Sequence, residues 1–299
     1  MKNKKWIGRV ILLVVVIALL ISPFLLIHGK YSFHDFWSWF FTTIFSWQAF
    51  TSGFWPIIQK IPTTLLLTGV SMILGLLLGL ALALISINKI PVLNQIRLVF
   101  VSFIRGTPII VQLFLTYYGL PLILKAINYN YGTDFIISDN SLLFVIITFA
   151  LNEAAYGSET IRSAIQSVDK GQIEAAYSLG MPRWKVFYRV TLPEAATVAA
   201  APLGNALIGL LKGTSLAFVA SVVEMTAQAQ IIGNSTFRSF ELYMAVALLY
   251  WPMCIVLEIL IHLVEKKLEI KMPNNKAGIT WSRNPFDNKL TSKKEVKHD

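Results

Sequence analysis

Long apolar stretches constrain this chain more than any other feature, because each can cross the hydrocarbon core of a bilayer as a helix. A transmembrane helix needs about 20 mostly apolar residues to cross about 30 Å. Five stretches meet this requirement, and a shorter sixth is flanked by residues that bound helices. We therefore predict an all-α, polytopic membrane protein with six transmembrane helices, near Val10–Ile27, Pro62–Ile87, Pro108–Leu124, Ser141–Ser163, Ala199–Val223 and Leu242–Val264.

The boundaries of the short span are predicted from local signals. Thr107 is expected to cap a helix whose first position is Pro108, where the missing N–H costs nothing. Gly119-Leu120-Pro121 is expected to stop that helix, and residues 128–140 to form a polar outer loop.

The charged residues set the orientation. Only 14% of the residues are charged and 55% are hydrophobic, which excludes an ordinary soluble globule. Lys and Arg concentrate on the cytoplasmic side of membrane proteins, so we expect residues 1–9, 88–105, 165–195 and 266–299 to be cytoplasmic. The net charge of +10 then reflects topology and anionic lipid rather than nucleic acid, since the basic residues form no single patch.

Three segments flank a predicted core of residues 58–271. Residues 1–30 resemble a secretory signal but lack a small-residue cleavage pattern, so we expect an uncleaved N-terminal transmembrane helix. Residues 31–57 are crowded with Trp, Phe and Tyr, which favour the membrane–water boundary. Residues 272–299 are charged and poor in apolar residues, which predicts a loosely ordered tail. Cys254 is the single cysteine and allows no disulfide framework.

The segment between the fourth and fifth predicted spans carries the most informative motif. Its defining residues are Glu174, Ala175, Ala176, Gly180, Leu192 and Pro193. The two alanines favour a short helix that packs closely against a partner. Gly180 is expected to end that helix in a left-handed conformation, and Pro182 to help start the next segment. A helix held on two sides in this way suits the cleft of a separate protein and would transmit that protein's movement.

This motif resembles the Glu-Ala-Ala, three residues, Gly, nine residues, Ile-x-Leu-Pro motif of permease subunits of ATP-binding-cassette (ABC) importers, with Val190 in place of the usual Ile. The resemblance covers about residues 58–271. Arg105-Gly106-Thr107-Pro108 and Leu211–Leu216 are similar to the branch that imports polar amino acids. That branch usually has Asp where this chain has Gly213, which puts any role of that Asp in doubt. The resemblance implies a five-helix core with one added N-terminal helix, in a bacterial cell membrane.

The resemblance also implies partners. A second permease chain, identical or paralogous, would complete a dimer, two ATPase subunits would lie inside the cell, and a binding protein outside would deliver the amino acid. ATP and Mg²⁺ would be used by the ATPase, so this chain is expected to have no cofactor, metal site or catalytic residue and not to be an enzyme. Asn152–Tyr156 and Glu224–Gln228 weakly resemble the group that handles cystine; glutamine, arginine and other polar amino acids stay open.

Polar groups inside the predicted spans are the candidate substrate path. A charged group inside the membrane costs about 2.5–3.5 kcal/mol on insertion scales. Glu153 and Lys212 lie at similar depth with opposite charge, and they suit either the two ends of a zwitterionic amino acid or a structural ion pair, within one chain or across a dimer. Helical spacing puts two polar sets each on one face: Asn152, Tyr156 and Glu159, and Asn205, Gly209 and Lys212. The candidate path residues are Asn152, Glu153, Tyr156, Asn205, Lys212, Thr214 and Ser215.

Two other classes of function compete with this interpretation. A secondary transporter driven by an ion gradient often has matching half-repeats with broken helices, but no repeat is apparent and the Glu-Ala-Ala motif has no use there. A membrane-embedded enzyme needs a catalytic constellation, and the sequence has no phosphate-binding loop of the Gly-x4-Gly-Lys-Ser/Thr type and no metal-ligand spacing.

Overall fold

The computed structural model describes residues 45–133 and 141–268, together with Ser38, Phe41 and Ile44. The predicted span Val10–Ile27 and the predicted tail 272–299 lie outside the described residues. The regular elements of the described part are all helices, which confirms the predicted all-α class. Five of these helices are long and apolar enough to cross a membrane, which confirms five of the six predicted spans.

We number the helices of the described part in chain order. They are α1 (Trp47–Ile58), α2 (Ile61–Ile87), α3 (Leu93–Gly106), α4 (Ile109–Tyr131), α5 (Ser141–Gln166), α6 (Lys170–Ser178), α7 (Arg183–Ala220), α8 (Met225–Thr236) and α9 (Ser239–Leu268). The five candidate spans are α2, α4, α5, α7 and α9.

Small residues bring α2 and α5 into close contact. A β-carbon on Gly75 would stand 2.6 Å from Cβ of Glu153, and one on Gly79 would stand 3.2 Å from the carbonyl oxygen of Ala154. One turn earlier, Ser71 donates a hydrogen bond to a carbonyl of α5 at 3.4 Å. Small residues four apart on one helix face let two backbones approach closely inside a membrane. This packing makes α5 the central helix of the bundle.

Each of two spans contains a wide π-helical turn just before a proline. The turn Leu115–Gly119 in α4 precedes Pro121, and the turn Phe187–Thr191 in α7 precedes Pro193. Proline lacks an N–H to donate to the preceding turn, and a π-turn lets the helix continue past that defect. The predicted stop at Gly119-Leu120-Pro121 is therefore wrong, because α4 continues to Tyr131 and the outer connection begins later than expected.

Helices α7 and α9 pack antiparallel between residues 197–214 of α7 and 250–268 of α9. At one end of this contact, Thr197 Oγ1 donates to the carbonyl oxygen of Leu268 at 3.0 Å. At the other end, the hydroxyl oxygens of Thr214 and Tyr250 lie 3.2 Å apart. Between them, Gly204 leaves no room for a side chain beside α9. The two last spans therefore form one tightly joined pair.

The described part of the aromatic segment is a helix docked on the end of α9. Ser46 caps α1 by accepting from a backbone N–H at 3.3 Å, and its own N–H donates to Oε1 of the buried Glu241 at 2.8 Å. Ile57 is fully buried, whereas Trp47 and Trp55 are about two-thirds exposed. The exposed indole rings suit the predicted interfacial belt.

Helix α3 lies along α5 instead of remaining outside the bundle. Arg97 donates to Oε1 of Glu159 at 2.7 Å, and Ile104 packs against Ala155. Ala155 is about 16 Å from the end of α5, at 1.5 Å per residue. The cytoplasmic placement of residues 88–105 stays a prediction, and the last turns of α3 pack well inside the length of α5.

Candidate functional site

The Glu-Ala-Ala motif forms the predicted short helix, α6. Asp169 caps its start, with Oδ1 accepting from the N–H of Gly171 at 2.9 Å. At its end Gly180 has φ +75°, and its N–H donates to the carbonyl of Tyr177 at 2.9 Å. The next N–H, of Met181, reaches back to the carbonyl of Ala176 at 3.2 Å. This pair of bonds is the Schellman motif, so the left-handed end expected at Gly180 is confirmed.

Most of α6 and the residues after it project from the protein. Ala176 is buried, but Glu174 and Ala175 are exposed. The exposed fractions are 82% for Leu179, 66% for Trp184 and 67% for Tyr188. We call the exposed set Ala175, Leu179, Trp184 and Tyr188 the coupling surface. Contiguous exposed apolar groups of this kind usually mark a protein–protein contact.

The coupling surface is joined to the membrane bundle by one continuous helix. Leu192 and Pro193, the last motif residues, follow the π-turn of α7, and the helix runs on past Lys212 to Ala220. Trp184 and Tyr188 belong to the first turns of the same helix. A displacement of the coupling surface therefore acts on the helix that carries the candidate path.

The polar stripe predicted on α7 is present on its outer side. Asn205, Gly209 and Lys212 are all exposed, which confirms that they share a face. Within the described residues, Lys212 has no carboxylate within 4 Å. Lys212 is therefore an exposed cation within a helix that is long and apolar enough to span a membrane.

Thr214 and Ser215 do not join that stripe. Thr214 is fully buried; its hydroxyl donates to the carbonyl of Leu211 at 2.6 Å and lies 3.2 Å from the hydroxyl of Tyr250. Tyr250 donates to Oε2 of the buried Glu224 at 3.1 Å. Ser215 donates to the carbonyl of Lys212 at 2.9 Å. Thr214 thus belongs to a buried polar network that joins α7 and α9 to the start of α8.

Asn152 is part of a clamp that the sequence did not reveal. The break between α3 and α4 leaves carbonyl groups without helical partners, and Nε2 of the buried Gln112 donates to those of Ile104 at 2.7 Å and Thr107 at 3.0 Å. Asn152 Nδ2 in turn donates to Oε1 of Gln112 at 3.0 Å. The expected capping by Thr107 is wrong, because its hydroxyl donates back to Phe103 at 2.9 Å and α4 begins after Pro108. The only sequence signal for the clamp was a glutamine four residues after a proline.

Glu153 points toward α2. Its Cβ lies against the backbone of Gly75, and the side chain is half-buried. Among the described residues it makes no ion pair, so Glu153 and Lys212 do not pair within the protomer. A pairing across a dimer, and a role in binding substrate, stay predictions.

The polar face of α5 predicted from helical spacing is confirmed, and side chains of α3 and α4 contact it while Tyr156 stays exposed. Asn152 contacts α4, Glu159 pairs with Arg97 of α3, and Tyr156 lies under the guanidinium of Arg105. The candidate path residues thus divide into two groups. Asn152, Glu153, Thr214 and Ser215 are buried or partly buried, whereas Tyr156, Asn205 and Lys212 are exposed.

Comparison with known proteins identifies a family and several relatives. Residues 75–270 match the family described as binding-protein-dependent transport system inner membrane component. The chain is 42% identical over 222 residues to the probable amino-acid permease protein YxeN of Bacillus subtilis (strain 168), covering 74% of this chain and 95% of that protein. It is 40% identical over 209 residues to the L-cystine transport system permease protein TcyL of the same organism, covering 70% and 85%. A crystal structure described as an amino acid ABC transporter with histidines superposes with a TM-score of 0.63 at 32% identity, covering 74% of this chain and 98% of that one.

Proposed function

This chain belongs to the family of binding-protein-dependent transport system inner membrane components, and we propose that it is the permease subunit of an ABC importer for a polar amino acid. A separate ATPase drives transport and an extracytoplasmic binding protein supplies the substrate. The observation that carries the proposal is the coupling surface, placed at one end of a helix that continues through the bundle. The 32% identity to a solved amino-acid ABC transporter over 74% of the chain supports it.

The ATPase is the proposed occupant of the coupling surface. Leu179, Trp184 and Tyr188 are each exposed by more than 60%, and covering apolar area stabilises an interface by about 25 cal/mol per Å². The small side chain of Ala175 lets α6 approach a partner closely. The Schellman end at Gly180 fixes the angle at which the chain leaves that contact.

Substitution of Trp184 by Ser tests this docking. Aromatic residues at the centre of an interface typically contribute 2 kcal/mol or more, so we expect the ATPase to dissociate at least about tenfold more readily. The measurement is co-purification of the ATPase from cells that express the full importer, with hydrolysis stimulated by the binding protein as a second readout. Tyr129→Ser is the matched control, because Tyr129 is 90% exposed near the end of α4, at the other end of the bundle. Normal retention and stimulation in Trp184→Ser would remove the coupling surface from the proposal.

Among amino acids, we propose a cystine-like substrate, supported by the 40% identity to TcyL. Uptake of labelled L-cystine, L-glutamine, L-arginine and L-histidine into proteoliposomes that hold the complex and its binding protein tests it. We expect L-cystine to be taken up in strong preference to the other three. Uptake should require ATP on the side of the membrane that holds the ATPase. Preference for another of the four would replace cystine. Uptake that follows an ion gradient without ATP would favour a secondary transporter instead.

The proposed orientation places both termini and α6 in the cytoplasm. Ser178 ends α6, so Ser178→Cys in a Cys254→Ser background should react with a membrane-impermeant thiol reagent only after cells are permeabilised. Tyr129→Cys in the same background should react in intact cells. The reverse pattern would invert the topology.

A second permease chain is proposed to cover the stripe Asn205, Gly209 and Lys212. An ammonium group exposed to lipid is unfavourable by about 2.5–3.5 kcal/mol on insertion scales, so the stripe needs a partner protein or an aqueous path. Oxidative cross-linking of Asn205→Cys between copies is expected if the two chains are identical, and its absence would favour a paralogous partner.

A further inference from the structure

Arg105 lies in the last turn of α3, directly before the break that Gln112 clamps. Its guanidinium carbon is 5.4 Å from the centre of the Tyr156 ring, within the range of a cation–π contact. Both side chains are exposed, Tyr156 by 45%. The clamp fixes the backbone on either side of Arg105, and the ring of Tyr156 contacts its guanidinium on the surface of the bundle.

This guanidinium lies far from either end of α5, measured along the helix. Tyr156 lies about 22 Å along α5 from Ser141 and about 15 Å from Gln166, at 1.5 Å per residue. Arg105 lies beside it, about 15 Å inside the end of a helix that is long and apolar enough to span a membrane. Ionised groups at such depth almost always face a bundle interior, a water-filled cavity or a partner. Exposure on the protomer therefore indicates contact with something other than lipid.

Arg105 also lacks the partner that neighbouring arginines have. Arg97 and Arg162 both pair with Glu159, each at 2.7 Å. In the described part of the chain no carboxylate lies within 4 Å of Arg105. Stacking on a ring leaves the N–H edges of a guanidinium free, and those edges match a carboxylate with two parallel hydrogen bonds.

We propose that Arg105 binds the α-carboxylate of the transported amino acid inside the membrane and that Tyr156 is a positioning residue for it. The inference rests on the proposed function and adds the group that recognises the carboxylate. Glu153 and Lys212 were the charged candidates from the sequence, but Glu153 faces α2. The ligand class follows from the chemistry: a free α-carboxylate is bound, and the corresponding α-amide, which carries no negative charge, is not bound through this contact.

The test measures binding to the purified permease–ATPase complex in the absence of the binding protein, which has its own specificity. The probe is whichever of L-cystine, L-glutamine, L-arginine and L-histidine the wild-type complex transports, in competition with its own α-amide. We expect Arg105→Gln to lower the affinity for the free acid by roughly tenfold to a hundredfold, the range of a charge-assisted hydrogen bond. The affinity for the α-amide should stay unchanged. Arg105→Lys should recover part of the loss, because it keeps the charge but not the two-pronged geometry.

Variants of Tyr156 separate positioning from mere packing. Tyr156→Phe keeps the ring face and should bind the acid as the wild type does. Tyr156→Leu should lower the affinity for the acid but not the affinity for the α-amide. Arg238→Gln is the control, since Arg238 pairs with Glu241 at the far end of α9.

The outcomes divide clearly. Unchanged affinity of Arg105→Gln for the acid overturns the inference, and so does an equal loss for acid and amide, which would indicate a structural role. If the wild-type complex transports amino acids and either result is found, only this inference fails. If the wild-type complex transports none of them, the proposed function fails, and the inference fails with it.

Discussion

Substitution of Gly180 tests whether the shape of α6 carries the coupling. Gly180 has φ +75°, and a β-carbon there would meet no atom within 4 Å, so the penalty comes from the backbone alone. An L-residue in this region costs about 1–2 kcal/mol, with Asn at the low end and a β-branched residue at the high end. Helix α6 has nine residues and buries only Ala176, and such short helices are marginal by themselves. A penalty of about 1.4 kcal/mol lowers the equilibrium constant between the ordered and the frayed end about tenfold.

We therefore expect coupled transport to fall in the order Gly180→Asn, Gly180→Ala, Gly180→Val, from about twofold to about tenfold. The assay is uptake in proteoliposomes together with ATP hydrolysis stimulated by the binding protein, and both should fall in parallel while thermal stability is kept. Gly132→Val is the matched control, because Gly132 has φ +62° and equally open surroundings at the end of α4. Wild-type coupling in Gly180→Val would refute the reasoning, and so would an equal loss in Gly132→Val.

Three further predictions follow from the bundle. Gly75→Val should lower the thermal stability of the assembled importer by an amount equivalent to about 1–3 kcal/mol, because its side chain would overlap α5, whereas Gly69→Val, with nothing within 4 Å, should not; equal melting temperatures would contradict this. Gln112→Leu leaves buried carbonyl groups unpaired and should cost about 1–3 kcal/mol in the same measurement, and no change would show that the clamp is dispensable. If Glu153 and Lys212 contact substrate, the variants Glu153→Gln and Lys212→Met should each assemble normally and transport poorly. The double variant should then transport no better than either single variant. Recovery of stability and uptake together in the double variant would establish an ion pair across the dimer.

The membrane spans and α6 were predictable because the sequence signals for them are local. A run of apolar residues in α2 or α9 predicts a membrane helix without knowledge of its neighbours. The Schellman end of α6 needs only Gly180 and the residues just before it. In both cases the physical cause and its effect lie within a few turns of the same helix.

The arrangement of the polar groups was not predictable in the same way. Depth along the chain made Glu153 and Lys212 look like partners, but depth says nothing about rotation around a helix axis. The direction of Glu153 is set by Gly75, which lies far away in sequence and allows α2 to approach. The role of Gln112 was not predictable for the same reason, since it depends on where the break at Thr107 lies in relation to Asn152.

The unbroken course of α7 has a mechanical consequence. Its 38 residues make a rod about 57 Å long, with the π-turn Phe187–Thr191 near one end as a natural pivot. Lys212 lies about 30 Å beyond that pivot, and α7 is joined to α9 over residues 197–214, so the two helices would have to tilt together; a tilt of about 5° would carry Lys212 sideways by nearly 3 Å. In the proposed importer, the ATPase would act on the few residues before the π-turn. A small displacement there would become a larger one at Lys212, because Lys212 lies much farther from the turn.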